Sequence, residues 1–327
     1  HLRTLSSYSL SESTLKINKL VSLAKKFEMP AIAITDNNNM FGVFEFSQEC
    51  IKNNIQPIIG TSINLLDVKT ESKISQLSFL VKSEVGYRNL LHLSSVSHLN
   101  TNKDVGLKLE DLKEYSSGLY CFVGGSLNPL LILRQQNKFD AISILIKNLK
   151  KIFGENLLFE IQRIKDLQID NYEKEFINLS RQYDIPLIGS NNIKYADQND
   201  YSAHDALLCI AQKVTINTSK RVTSNENIYF KSTDEMNNIF QDINEISDNN
   251  FNVAISCTFF PEETKPKLPN FVNNLNLTTE EYLVKLSTSG LNEIIKKYDI
   301  KNIKKYFSRL EYENDIIIRM GFAGYFL

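Results

Sequence analysis

Residues 31–39 contain the short apolar run Ala31-Ile32-Ala33-Ile34-Thr35, which ends at Asp36 and three asparagines. A run of this length bounded by polar residues predicts a buried β-strand. Apolar residues at helical spacing precede it, from Leu15 to Phe27, and the segment from Phe41 to Asn53 predicts a second helix after it. Strands separated by helices pair in parallel through crossover connections, so this region indicates an α/β fold.

The same alternation continues along the first two thirds of the chain. Further apolar runs predict strands near residues 57–60, 77–81, 119–123, 157–161 and 186–189. Six or seven strand–helix units over roughly 230 residues are too many for a small open sheet, so we expect a closed or distorted barrel. The chemistry of such barrels lies on loops at the carboxyl ends of the strands, here residues 36–39, 60–64, 124–128 and 190–194.

The overall composition excludes several classes of protein. The chain has 327 residues, 42% of them apolar, and a net charge of -1, so any contact with nucleic acid must come from a local basic patch. Its apolar runs are too short to span a bilayer. The four cysteines are far apart and form neither a disulfide framework nor a zinc-site spacing, which favours a cytoplasmic location.

The last part of the sequence has a different pattern. Pro261, Pro266 and Pro269 predict an extended linker over residues 261–275, after a barrel that occupies residues 1–260. Residues 276–327 predict helices without strands. The chain starts at His1 rather than Met and ends in an apolar run, so we expect a fragment whose second unit is incomplete.

Several residues are candidates for chemistry when they are considered one at a time. Asp36, at the end of a strand, is the strongest candidate carboxylate, although an Asx turn explains it more simply. His204 and Asp205 open a helical stretch, where an acid favours the helix dipole. The five lysines of residues 296–305, interleaved with Tyr298 and Tyr306, predict either a phosphate contact or a solvated helix face.

Several strings of the sequence together resemble the bacterial DNA polymerase III alpha subunit family. They stand in that family's order and cover essentially the whole chain: residues 35–42, 57–60, 86–90, 204–210, 229–232, 309–313 and 320–327. The resemblance implies an N-terminal PHP (polymerase and histidinol phosphatase) domain, a distorted seven-stranded (βα)7 barrel. It also implies that the helical segment leads into an incomplete polymerase palm.

The resemblance further implies where a cluster of two or three metal ions would be held. The corresponding positions in this sequence are Arg3, Leu5, Glu12, Asp36, Asn37, Ser62, Gln76, Gly125, Asn192 and Lys194. Imidazole and carboxylate ligands are thus replaced by a guanidinium, an alkyl chain, amides, a hydroxyl and an ammonium. We therefore expect a metal-free vestigial site, in which Arg3 and Lys194 act as counter-charges for Glu12 and Asp36.

The function implied is that of the N-terminal part of a DNA-directed DNA polymerase, a nucleotidyltransferase of DNA replication. The palm carboxylates that hold Mg²⁺ lie beyond residue 327 in this family, so we expect the fragment alone to be catalytically inactive. The barrel is expected to dock the proofreading exonuclease (epsilon) subunit. Two alternatives remain at this stage: an active metal-dependent PHP-type phosphoesterase, and a solute-binding barrel.

Overall fold

The computed structural model describes residues 1–70, 74–99, 104–264, 271, 275–298 and 300–327. The chain divides into two compact units, unit 1 from His1 to Glu262 and unit 2 from Glu263 to Leu327. Two of the three prolines on which the linker was predicted, Pro266 and Pro269, lie outside the described residues.

Unit 1 is built on one curled sheet with helices packed against it. Its strands follow in the order β1 (Ala31–Asn37), β2 (Gln56–Lys69), β3 (Ile74–Val81), β4 (Leu119–Gly124), β5 (Leu157–Gln162) and β6 (Leu187–Ser190). The helices of this unit are α1 (Ile17–Lys26), α2 (Val43–Lys52), α3 (Glu84–Leu99), α4 (Pro129–Gln135), α5 (Phe139–Phe153), α6 (Leu167–Asp170), α7 (Glu173–Tyr183), α8 (Tyr201–Gln212), α9 (Thr233–Phe240) and α10 (Glu245–Ser256).

The predicted α/β barrel class is confirmed, but the prediction of uniformly parallel strands is wrong at β3. This strand pairs antiparallel with both β2 and β4, whereas the other neighbouring strands are parallel. Only four residues separate β2 from β3, and a parallel pair needs a crossover of a dozen or more. The carboxyl ends of five strands therefore meet the amino end of β3 at one rim.

Six strands form the sheet in the described residues, and the N-terminal segment of residues 1–5 takes the place of a seventh. On one side, the amides of Ala33 and Thr35 donate to the carbonyls of His1 and Thr4, at 3.0 and 2.7 Å. On the other side, the amide of Leu5 donates to the carbonyl beyond β6, that of residue 193, at 2.9 Å. The segment thus connects the two edges of the curled sheet.

Alternate residues of each strand point into the barrel. The layer of inward-facing side chains farthest from the rim is apolar. Each strand contributes one buried side chain to it: Ala33, Ile58, Leu80, Phe122, Leu158 and Ile188. Leu2 of the N-terminal segment and Val253 and Cys257, in and just after α10, pack on the same cluster. The interior is therefore a packed core at this end, and any polar chemistry is confined to the opposite rim.

The described residues of unit 2 form three helices, α11 (Thr279–Tyr298), α12 (Ile303–Arg319) and α13 (Ala323–Phe326). The first two are joined by four residues and contact each other through a hydrogen bond from Asn314 Nδ2 to Ser287 Oγ at 3.0 Å. Leu283 and Ala323 are the buried apolar residues among those described in this unit.

Candidate functional site: the polar rim of the barrel

The interior of the barrel becomes polar toward the carboxyl ends of the strands. Because side chains alternate along a strand, the positions two and four residues beyond the apolar layer also face inward. On β5 these positions are Glu160 and Gln162, and on β6 the first of them is Ser190. All three side chains are buried. This rim is where the family resemblance places the metal cluster.

A buried ion pair lies at the centre of the rim. Arg3 Nη1 donates to Glu160 Oε2 at 2.8 Å, and the two side chains are 7% and 0% exposed. Ser190 donates its hydroxyl to the other carboxylate oxygen of Glu160, and Gln162 Nε2 donates to Ser190 Oγ at 3.2 Å. Two buried atoms of this network, Arg3 Nε and Gln162 Oε1, have no hydrogen-bond partner among the residues that the structure describes. The guanidinium thus neutralises a carboxylate that the sequence analysis did not identify.

A second cation, Lys194, lies beside Glu12. Lys194 Nζ is 3.7 Å from Glu12 Oε2, which also accepts a hydrogen bond from Asn37 Nδ2 at 2.5 Å. Burial lowers the pKa of Lys194, Glu12 opposes that shift, and the positive charge of Arg3 adds to it. Lys194 and Arg3 are therefore close enough to influence each other, and the rim contains two cations at positions where metal ligands were expected.

Asp36 has no cation among its contacts with the described residues. Its carboxylate accepts from the Ser6 amide and the Ser6 and Ser9 hydroxyls at 2.7, 2.7 and 2.6 Å. Burial raises the pKa of Asp36, and the hydrogen bonds from the two serines act in the opposite direction. The carboxylate fixes residues 6–9 against the end of β1, so at Asp36 both the local Asx turn and the pair with a cation were wrong predictions.

The remaining predicted positions are filled by contacts that bring no charge to the rim. Ser62 Oγ and Ser78 Oγ are 2.8 Å apart, and Gln76 Nε2 donates to Asn64 Oδ1 at 3.1 Å. Leu5 is buried. Gly125 and Asn192 adopt positive φ angles of 74° and 48°, and a Cβ at position 125 would lie 3.0 Å from Gln162 Oε1.

These residues do not fit a divalent-metal cluster. Divalent cations in proteins are held by carboxylates, imidazoles or thiolates, and the described residues contain no group of three such side chains arranged to hold one. Among the described residues, Glu12 is the one rim carboxylate whose two oxygens do not both accept a hydrogen bond, and Lys194 already lies beside it. A metal ion at this place would lie beside two like charges, and it would have to displace Arg3 from Glu160 and Lys194 from Glu12 to gain their carboxylates as ligands.

His204 and Asp205 stabilise the segments around the rim through hydrogen bonds. The interpretation of Asp205 as a favourable charge in the first turn of a helix is wrong. The helix α8 begins at Tyr201, so Asp205 lies beyond its first turn. Its carboxylate forms a bidentate pair with Arg221, with both hydrogen bonds at 2.7 Å. The ring of His204 bonds to the carbonyl of Glu12 at 2.8 Å, which holds the turn that carries Glu12.

Glu160 and Ser190 are the residues that sequence reasoning missed. Glu160 is the one acid in the apolar run from Leu157 to Ile161, and an acid within a buried strand was the available signal. Its partner is 157 residues away in the sequence, so the pair could not be found from spacing.

No helix in the described part of the chain is long and apolar enough to cross a membrane.

Comparison with known proteins places the chain in a family. The PHP domain family model matches residues 1–164. Over its whole length the chain is 37% identical to the DNA polymerase III subunit alpha of Rickettsia prowazekii and 35% identical to that of Borreliella burgdorferi. It spans 28% and 29% of the length of these two relatives.

Among solved structures, the chain is similar to a two-domain protein of Bacteroides vulgatus containing a predicted PHP-like metal-dependent phosphoesterase. The match has a TM-score of 0.41 and 14% identity and covers 63% of this chain and 54% of the other, a likeness too low to bear on function. The family model matches half of the sequence, including β1 to β5 and most of the rim. This chain belongs to the PHP domain family.

Proposed function

We propose that this chain is the PHP-containing region of a DNA polymerase III alpha subunit, and that its barrel acts as a metal-free scaffold. The similarity to alpha subunits extends over 100% of the chain, including the helices of unit 2 that follow the barrel. In the intact protein, DNA synthesis would depend on Mg²⁺ held by carboxylates outside this region. The barrel region itself would contribute structure and docking.

The observation that carries the metal-free proposal is the buried Arg3–Glu160 ion pair together with Lys194. A divalent cation about 4 Å from one guanidinium is repelled by about 8 kcal/mol at an effective dielectric constant near 20, and the attraction of the Glu160 carboxylate paired with Arg3 offsets part of this repulsion. Lys194 adds a second repulsion of the same sign. In this proposal, internal ion pairs stand at the rim in place of metal–ligand bonds.

Metal analysis of the purified chain tests this proposal. The protein is incubated with Zn²⁺ and Mn²⁺, desalted, and measured by inductively coupled plasma mass spectrometry. We expect less than about a tenth of an equivalent of metal, because an intact structural site would retain its ion through desalting. Retention of two or three equivalents would contradict the proposal and would support an active PHP-type phosphoesterase, to be followed by a phosphatase assay.

We further propose that the rim side of the barrel docks the proofreading exonuclease subunit. Three exposed apolar side chains support a protein contact here: Leu10, Phe41 and Leu99, which are 77%, 71% and 81% exposed. Their segments are linked, because Asn39 Nδ2 donates to the carbonyl of residue 8 at 3.1 Å and His98 bonds to that of residue 38 at 2.7 Å.

Size-exclusion chromatography with a purified exonuclease subunit tests the docking. We expect co-elution with the wild-type chain and its loss in Phe41→Asp combined with Leu99→Asp. The matched control is Phe139→Asp combined with Ile144→Asp on α5, where two apolar side chains are similarly exposed, at 58% and 60%. Loss of binding in both variants, or in neither, would contradict docking at the rim.

A further inference from the structure

The end of unit 2 where α11 and α12 meet is strongly basic. Residues 296–305 contain five lysines, Lys296, Lys297, Lys301, Lys304 and Lys305, and one acid, which gives this segment a net charge of +4 in a chain of net charge -1. Only four residues connect the two helices, so all five lysines lie at one end of the helical hairpin. We refer to residues 296–298 and 300–306 as the basic tip.

The lysines of the basic tip are not neutralised within the described chain. All five are exposed, and none has a carboxylate of a described residue within 4.0 Å. The two arginines of α12, in contrast, form ion pairs with Glu313 and Asp315, each at 2.7 Å. Among the described residues, the arginines of α12 are therefore neutralised by neighbouring acids, whereas the five lysines of the tip are not.

The position of two of these lysines is unfavourable for the helix itself. Lys304 and Lys305 lie in the first turn of α12, where the helix dipole favours acids, and the turn contains none. The N-cap residue, Asn302, makes no side-chain hydrogen bond to the helix. Positive charge and open backbone amides therefore coincide at this helix end, and an external anion would relieve both.

Two exposed aromatic rings lie among these charges. Tyr298 and Tyr306 are 64% and 47% exposed, and Lys297 Nζ lies 5.3 Å from the ring centroid of Tyr298. Regularly spaced phosphates together with flat rings are found on a nucleic-acid strand, whereas a lipid headgroup supplies the phosphate alone. Lysines that follow the backbone and aromatic rings that stack on bases are the usual combination in single-strand binding.

We propose that the basic tip binds single-stranded nucleic acid, with the lysines on successive phosphates and with Tyr298 and Tyr306 stacked on bases. This inference adds a surface that contacts nucleic acid to the proposed function. It rests on that function in one respect, the expectation that the ligand is a nucleic acid. The evidence for it lies entirely in unit 2, whereas the metal analysis reports on the rim of unit 1. The two proposals can therefore fail separately.

Fluorescence anisotropy of a labelled oligothymidylate of about 20 nucleotides, titrated with the full chain, measures the binding. Five phosphate contacts predict that log K falls against log[KCl] with a slope of about -3.5. The variant Lys301→Ala, Lys304→Ala, Lys305→Ala is expected to bind at least about tenfold more weakly at low salt, with a slope shallower by about 2. A slope unchanged in this variant would overturn the proposal.

The matched control removes three exposed lysines of unit 1, Lys19, Lys147 and Lys174, and so changes the net charge equally. It is expected to retain the wild-type slope, and equal losses in both triple variants would show non-specific attraction and overturn the proposal. Replacing Tyr298 and Tyr306 by Ala is expected to weaken binding about tenfold without changing the slope. Tip-dependent binding to anionic phospholipid vesicles, with none to the oligonucleotide, would also overturn it.

Discussion

Removal of one partner of the buried Arg3–Glu160 pair is expected to destabilise unit 1 strongly. In Arg3→Met, the Glu160 side chain remains completely buried and retains only the hydrogen bond from Ser190. Breaking a buried pair in this way costs about 3–5 kcal/mol, because an uncompensated charge is left in the interior. For a domain of this size that corresponds to a fall in Tm of roughly 10 °C.

The double variant Arg3→Met, Glu160→Gln separates the charge effect from the loss of packing. The amide introduced by the second substitution is neutral and its carbonyl oxygen can still accept from Ser190, so we expect the double variant to lose less than about 3 kcal/mol. Each single variant leaves one buried charge, and the sum of the two single losses should therefore exceed the double loss by about 3 kcal/mol or more.

Urea unfolding of the full chain at pH 7, followed by circular dichroism, provides the four free energies of the cycle. The exposed pair Arg88–Glu84, with side chains 75% and 60% exposed, supplies a control. Arg88→Met should cost less than about 1 kcal/mol. The reasoning is refuted if Arg3→Met is equally mild, or if the losses of the two single variants simply add in the double variant.

Two further predictions concern Lys231 and the close contact between Gly86 and Gly118. Burial lowers the pKa of Lys231 to about 8, so between pH 8 and its unfolded value near 10.4 the folded state binds fewer protons than the unfolded state. The contribution of Lys231 to stability should therefore rise with pH by about 3 kcal/mol over that interval, and urea unfolding of the wild type and of Lys231→Met should differ by this rise. A Cβ at Gly86 would lie 1.9 Å from the carbonyl oxygen of Gly118, whereas Gly290 faces open space in the middle of α11. Gly86→Ala should lower Tm markedly and Gly290→Ala should leave it unchanged or raise it, by scanning calorimetry.

The strand cores were predictable because apolar runs in a buried sheet leave a clear pattern. The full length of β2 was not, since it continues from Gly60 to Lys69 through polar residues such as Thr61, Ser62 and Asn64. Of these residues, Ser62 and Asn64 are in register with the inward-facing Ile58 and line the rim, where the periodicity of two persists but the apolar signal disappears. The strand at residues 77–81 was predicted, but its antiparallel direction was not, because an apolar run contains no information on the direction of a strand.

At the rim, residue chemistry could be inferred from the sequence, but pairing could not. Arg3 and Lys194 were identified as cations at positions where the resemblance implies metal ligands, and Lys194 does lie beside Glu12 in the structure. Arg3 was expected to face Glu12 or Asp36 and instead pairs with Glu160. The carboxylate that a buried cation contacts depends on how strands that are far apart in the sequence pack together in the barrel. A single sequence does not directly give the distance between such strands.

The segment of residues 1–5 joins β1 to the chain around residue 193, about 190 residues later, and this has a consequence for how the barrel forms. Contacts of such long sequence separation carry a loop-closure entropy of about 5 kcal/mol and form late in folding. During synthesis, residue 193 is made about 190 residues after Arg3, so we expect one edge of the barrel to stay unpaired until that part of the chain has emerged. The Arg3–Glu160 pair would then form in the last stage of assembly, when the N-terminal segment closes the barrel.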